Sequence, residues 1–177
     1  KEVATFQYDK NFAESPFELS PFMMPLSTEP YSFPGLPKET FKGMPGLLAD
    51  SLPDDYGNAL INTWLAQQGR PQNSFTPLER LCYIGSRGMG ALEYSPAAGP
   101  QTRKSKQLDL DSLVDLASHV MTNRENLDVK VIPESAEKAL QEIMSVGTSA
   151  GGARAKAIIA WNPKTQEIRS GQLEADE

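Results

Sequence analysis

The chain has 177 residues, 39% hydrophobic and 23% charged, the balance of a globular protein that can bury a core without covalent staples. Its apolar runs are only a few residues long, too short to span a bilayer, and a single cysteine, Cys82, excludes an intrachain disulfide. Seventeen lysines and arginines against 23 acids give a net charge of −6, which argues against this segment holding DNA or an anionic membrane by itself, because phosphate binding needs surplus cations.

The first residue is Lys1 and not a methionine, and no signal peptide is visible. A cytoplasmic protein is the expectation. Residues 1–46 carry Pro16, Pro21, Pro25, Pro30, Pro34, Pro37 and Pro45, a density that excludes long helices and central strands. Val3 to Tyr8 suits a strand, since Thr5, Phe6 and Tyr8 fit a pleated, half-buried surface. Asp9-Lys10-Asn11 is expected to turn the chain, and short extended pieces joined by loops follow.

A helix is expected next, capped by Asp54 or Asp55, with Leu60, Ile61, Trp64 and Leu65 on one face at three- and four-residue spacing. Gly69 and Pro71 end it. A second helix opens at Thr76-Pro77-Leu78-Glu79, where Thr76 and Glu79 have the spacing of a capping box and Pro77 takes the first helical position. Leu78, Leu81 and Cys82 form its expected buried stripe, and Gly85 stops it. Cys82 therefore reads as core rather than nucleophile, since nothing on an apolar face ionises a thiol. Gly88 to Tyr94 reads as a glycine-led strand, and residues 97–107 as a linker or exposed loop, with Arg103, Lys104 and Lys106 as a short basic patch.

Asp109 caps a further expected helix with Leu110, Leu113, Val114, Ala117, Val120 and Met121 as its apolar stripe. Pro133 to Glu137 opens another, with Leu140, Ile143 and Met144 facing inward and acids placed favourably for the helix dipole. His119 has no second histidine or cysteine near it in sequence, so no metal site can be argued. After Met144 comes a small-residue loop, Ser145 to Lys156, then an apolar strand from about Ala157 to Trp161. Asn162-Pro163-Lys164-Thr165 turns the chain into a return strand at Gln166 to Arg169. Small residues let backbone N–H groups approach an anion, Arg154 and Lys156 add positive charge, and the hydroxyls of Thr148 and Ser149 can bond a phosphate or receive one. The loop fits neither the Walker A pattern nor the dinucleotide fingerprint. On composition alone a tight turn feeding a hairpin explains it as well.

The string Gly147-Thr148-Ser149-Ala150-Gly151-Gly152-Ala153-Arg154-Ala155-Lys156-Ala157 resembles the glycine-rich loop of HipA-family kinase toxins. Phe41 to Asp54, Ser20-Pro21 through Pro25-Leu26, and Ile84 to Leu92 resemble blocks of that family's N-terminal module, so the resemblance covers essentially the whole chain. It implies an α+β fold: a sheet-rich coupling module with helices over residues 1–100, then, over residues 101–177, a helical connector and the start of a protein-kinase-like N-lobe sheet.

By the same resemblance, the parent protein is a serine/threonine kinase toxin of a bacterial toxin–antitoxin module. It uses ATP and Mg to phosphorylate a protein target, in the best-known cases an aminoacyl-tRNA synthetase. A small DNA-binding antitoxin of the HipB type holds it. Ser149 matches the family's autophosphorylation site, and Gly151, Gly152, Ala153, Arg154, Ala155 and Lys156 match its ATP-phosphate loop. The family's catalytic aspartate and magnesium ligands belong to a C-terminal kinase lobe, and neither Lys164 nor Asp176 matches its motifs. The chain is thus expected to be a fragment without catalytic residues or metal ligands, inactive alone and binding no nucleotide tightly. It would work against the missing lobe, without contacting DNA or a membrane. The alternative is a stand-alone regulatory module that controls a separate kinase.

Overall fold

A computed structural model describes residues 3–88, 91–100, 111, 114, 115, 118 and 159–170. They fall into two compact units divided between Leu52 and Pro53. The fold is mixed α and β, with small sheets.

In the first unit, β1 (Thr5–Phe6) pairs antiparallel with β2 (Tyr31–Ser32) in the register Thr5 to Ser32 and Phe6 to Tyr31. The strand expected from Val3 to Tyr8 is thus only two residues long. Asp9 does not turn the chain as expected but caps α1 (Lys10–Ala13), its carboxylate accepting from the Asn11 N–H at 2.8 Å. The physics of a turn and of a helix cap is the same here, an Asp oxygen on a nearby backbone N–H. Two further single-turn helices, α2 (Lys38–Phe41) and α3 (Gly46–Ala49), each start after a proline, Pro37 and Pro45. Between them the chain reverses through Lys42 and Gly43 at φ of 52° and 81°. The unit holds less sheet than the family resemblance implied: besides β1 and β2, the described residues add one isolated bridge, Ser20 to Met24. Prolines remove the donors that a longer ladder would need.

The second unit is built on α4 (Asp55–Gln67) and α5 (Pro77–Ile84). Asp54 is the α4 cap, its Oδ1 accepting from the Gly57 N–H at 2.8 Å. Leu60, Ile61 and Leu65 are buried as their spacing predicts, and Trp64 is half-buried against the same cluster. Gly69 takes φ of 68° after the helix, and a 3₁₀ turn at Gln72–Ser74 leads to α5. The capping box is present: Thr76 Oγ1 accepts from the Glu79 N–H at 3.3 Å, and Glu79 Oε2 accepts from the Thr76 N–H at 2.7 Å. The bond from the Thr76 N–H, above all, holds the Glu79 carboxyl below its ordinary value.

The α5 stripe differs from expectation. Leu81, Tyr83 and Ile84 are buried, whereas Leu78 is 47% exposed and Cys82 only half-buried. Leu78 and Cys82 are four residues apart and share the outer flank of the helix. Ile61, Leu65, Phe75 and Tyr83 form the core cluster instead, with the Trp64 ring edge-on to Tyr83 at 5.1 Å between centroids.

The end of α5 accounts for its orphan carbonyls. Leu81 O accepts from Gly85, Cys82 O from Ala98, Ile84 O from Arg87, and Tyr83 O from the Arg87 guanidinium. Gly85 sits at φ of 59°, and a Cβ there would lie 3.1 Å from that of Ala97, so only glycine fits both demands. Gly88 and residues 91–94 do not form the expected strand. The Tyr94 N–H returns to Gly85 O instead, drawing this stretch back over the helix end.

Of the expected helix at 109–122, the described positions Asp111, Val114, Asp115 and Ser118 are helical and exposed. Val114, expected in the apolar stripe, is 62% exposed. The three-, four- and seven-residue spacing of these positions puts Val114 on a face shared with Asp111, Asp115 and Ser118. The helix expected at 134–145 lies outside the described residues.

The expected hairpin forms: β3 (Ile159–Asn162) pairs with β4 (Glu167–Ser170), Trp161 opposite Ile168. Asn162 Oδ1 accepts from Lys164 and Thr165 N–H at 3.0 and 3.3 Å, an Asx turn that tightens the loop.

Candidate functional site

Ser149 and the segment Gly151, Gly152, Ala153, Arg154, Ala155 and Lys156 lie outside the described residues, as do Thr148, His119 and the Arg103, Lys104, Lys106 patch. The described part of this region is the hairpin that follows in sequence. Its Lys164 is exposed in the turn.

The described residues do assemble a site that sequence reasoning missed, in the first unit. Three side-chain bonds pin the proline-rich segment from Met24 to Thr28. Tyr8 OH donates to Met24 O at 2.7 Å, Tyr31 OH to Pro25 O at 2.6 Å, and Gln7 Nε2 to Thr28 O at 2.7 Å. The Tyr8 ring packs edge-on to Phe6 and Tyr31 and stacks on Phe12, with centroids 4.8, 6.3 and 5.6 Å away. Burial first, then Tyr31 and Glu18, push the Tyr8 phenol above its ordinary value.

Beside this framework lies an apolar cleft of about 270 Å³. Ser20, Met23 and Met24 form one part of its lining, Phe33 and Leu36 another, and Phe41, Pro45, Gly46 and Leu47 the rest. Two of the sequence blocks singled out above, at Ser20 to Leu26 and at Phe41 to Asp54, thus meet around one cavity. Apart from the Ser20 hydroxyl its lining side chains are apolar, which suits an apolar group. Met23, in its lining, is 62% exposed, and Phe17, Leu19 and Phe22 of the same segment are 70%, 46% and 95% exposed. The signal that could have found it is compositional, five large apolar residues between Phe17 and Met24 in a stretch with no strand or helix period.

In the second unit the notable polar cluster is structural. Arg80 Nη1 donates to Asn58 Oδ1 at 2.8 Å, and its Nη2 donates to Asn62 Oδ1 and Gln72 O at 3.2 and 3.1 Å, tying α5 to α4 and to the 3₁₀ turn. Asn58 is itself oriented by donating to Pro53 O at 2.9 Å. Arg87 lies over the Tyr83 ring at 4.9 Å. The Tyr83 hydroxyl finds no partner among the described residues, and burial pushes its phenol up. Among the described residues no group of three or more His, Cys, Asp or Glu side chains could hold a metal ion, and no helix is long and apolar enough to cross a membrane.

The family described as the HipA N-terminal domain matches residues 1–95, more than half of the chain. No curated protein and no solved structure matches. The chain belongs to the HipA N-terminal domain family.

Proposed function

On that membership we propose that this chain is the coupling module and ATP-phosphate loop of a HipA-like serine/threonine kinase toxin, held in a toxin–antitoxin pair by a small DNA-binding antitoxin of the HipB type. The observation that carries the reading is the family match over residues 1–95, extended in the same order by the glycine-rich string at 147–157. ATP with Mg would supply the phosphoryl group to the complete kinase. Transfer of that group is mainly a matter of positioning and charge stabilisation, and the backbone donors of residues 151–156 with Arg154 and Lys156 suit the phosphate side of it. The catalytic aspartate and the metal ligands belong to the C-terminal lobe of the parent. The protein target is a serine or threonine of a second protein, an aminoacyl-tRNA synthetase being the family's best-known case.

Ser149 is the proposed switch. A phosphate there adds about −1.5 to −2 charges beside the nucleotide phosphates and keeps the loop from closing. The test uses the product of the complete reading frame with Mg-ATP, read by intact mass and by nucleotide binding. The expected result is one added phosphate, mapped to Ser149 and lost in Ser149→Ala. Unchanged phosphorylation and activity in Ser149→Ala would sink the assignment.

A second reading has one observation in its favour: the family match stops at residue 95, before the glycine-rich string. In that reading the chain is a separate regulatory module that controls a kinase partner. A complete product that ends at Glu177 and binds no nucleotide selects it; a longer product that binds Mg-ATP rejects it.

A further inference from the structure

We propose that residues 94–99 are a detachable clasp on the C-terminal end of α5. Closed, the clasp fixes where the chain leaves the helical unit; open, it lengthens the tether while α5 stays folded. The inference rests on contacts among residues 81–99 and not on the kinase reading, so either can fail without the other.

Two sets of bonds end α5, and they are separable. One set is internal: Leu81 O accepts from the Gly85 N–H at 3.1 Å, Ile84 O from the Arg87 N–H at 3.0 Å, and Tyr83 O from the Arg87 guanidinium. The other comes from the clasp: Cys82 O accepts from the Ala98 N–H at 2.8 Å and Gly85 O from the Tyr94 N–H at 3.1 Å. Loss of the second set leaves the first in place, and water takes over Cys82 O and Gly85 O as it does at other helix ends.

The seat of the clasp is specific. A Cβ at Gly85 would lie 3.1 Å from that of Ala97, and a Cβ at Gly99 would collide with Tyr83 O and the Arg87 guanidinium. The Gly99 backbone thus rests directly on the contact between Arg87 and Tyr83, a close approach that only glycine allows.

The hold is nevertheless weak. Ser95, Pro96, Ala97 and Ala98 are exposed, so they add no buried side chain to the two backbone bonds. Tyr94 is the large residue of the stretch and is half-buried. Its hydroxyl is buried without a partner among the described residues, which disfavours the closed form. Few buried apolar contacts and exposed backbone bonds mark segments that open below global unfolding.

Opening has a consequence of defined size. Six residues freed from the helix end span up to about 20 Å when extended, so the chain that follows gains that reach without any change in α4 or α5. The family match ends at residue 95, inside the clasp. The clasp therefore sets how firmly the next segment is tied to the edge of the HipA N-terminal domain.

Amide hydrogen exchange, followed residue by residue by NMR on the 177-residue chain, tests this. The Tyr94 and Ala98 amides are expected to be protected, yet at least about tenfold less than those of Leu81 and Ile84 inside α5. Gly99→Val drives a side chain into Tyr83 O and Arg87 and is expected to speed Tyr94 exchange about tenfold. Ala98→Pro removes the donor to Cys82 O and is expected to act in the same direction, which keeps the test decisive if Gly99→Val misfolds. Both variants should leave Leu81 and Ile84 within about twofold of the parent chain. Tyr94→Phe deletes the unpartnered hydroxyl and is expected to slow Ala98 exchange about threefold.

Tyr94 and Ala98 amides as protected as Leu81 and Ile84 overturn the proposal, because the stretch is then an integral part of α5. Amides with no protection overturn it too, since nothing is closed. So does acceleration of Leu81 and Ile84 as large as that of Tyr94 in both Gly99→Val and Ala98→Pro, because α5 then depends on the clasp.

Discussion

Residues 3–52 hold their shape with tyrosine hydroxyls, stacked rings and single-turn helices begun by prolines, whereas residues 53–88 hold theirs with two capped helices over an apolar cluster. The first unit keeps few buried side chains, Tyr8, Met24 and Met44 among them. It fixes its loops by giving their carbonyls specific side-chain donors. The second buries a continuous stripe and needs its polar bonds mainly at helix ends. The difference teaches where function can sit. Loops pinned from one side leave their other side free to form a cleft, while a helix pair that buries its apolar face closes that option.

The comparison breaks first at the helical core. Leu65 is fully buried in the cluster with Ile61, Phe75 and Tyr83, so Leu65→Ala is expected to cost about 2–5 kcal/mol through lost transfer energy and a cavity. Urea denaturation followed by helical circular dichroism checks it; a cost near zero would mean that the cluster does not hold α4 and α5. The matching test of the first unit is Tyr8→Phe, which removes the donor to Met24 O and leaves a buried carbonyl unpaired. The expected cost is about 1–3 kcal/mol. It should appear as faster amide exchange in residues 20–28 with α4 and α5 unaffected. Faster exchange throughout the chain would break the division into two modes of support.

How much of this was legible in the sequence follows the same division. Asp54, the Thr76–Glu79 box, Gly85 and the hairpin turn at Asn162 were readable, because each depends on bonds within a few residues. Leu60, Ile61 and Leu65 were readable because one face repeats at helical spacing. Leu78 was misplaced because a short helix offers two apolar flanks and only packing against α4 decides which is buried. The Ser20–Leu47 cleft was illegible for a different reason. It is made by hydrogen bonds spanning 16 and 6 residues, from Tyr8 to Met24 and from Tyr31 to Pro25, which no local period announces. The predicted phosphate loop was read from a family resemblance, and Ser149 with Gly151 to Lys156 lies outside the described residues, so its test belongs to the product of the complete reading frame.

The smallest effects sharpen the comparison at the α5 cap. Thr76→Ala removes the acceptor of the Glu79 N–H and is expected to cost about 1 kcal/mol in urea denaturation. Glu79→Gln keeps an acceptor for the Thr76 N–H but loses the charge near the helix N-terminus, so its cost should be smaller, a few tenths of a kcal/mol. The two variants differ in pH dependence, and the sign can be worked out. The backbone bond from Thr76, then its side-chain bond, holds the Glu79 carboxyl below its ordinary value in the folded chain. The folded state therefore binds its proton less readily than the unfolded state. Stability from this group is present above the unfolded carboxylate's value of about 4.3 and is lost as pH falls through the lower folded value. The gap in urea midpoint between the parent chain and Glu79→Gln should thus be widest near neutrality and close below about pH 4. A gap that stays constant across that range would mean that the carboxylate's charge adds nothing to the cap, and that α5 begins on Thr76 and Pro77 alone.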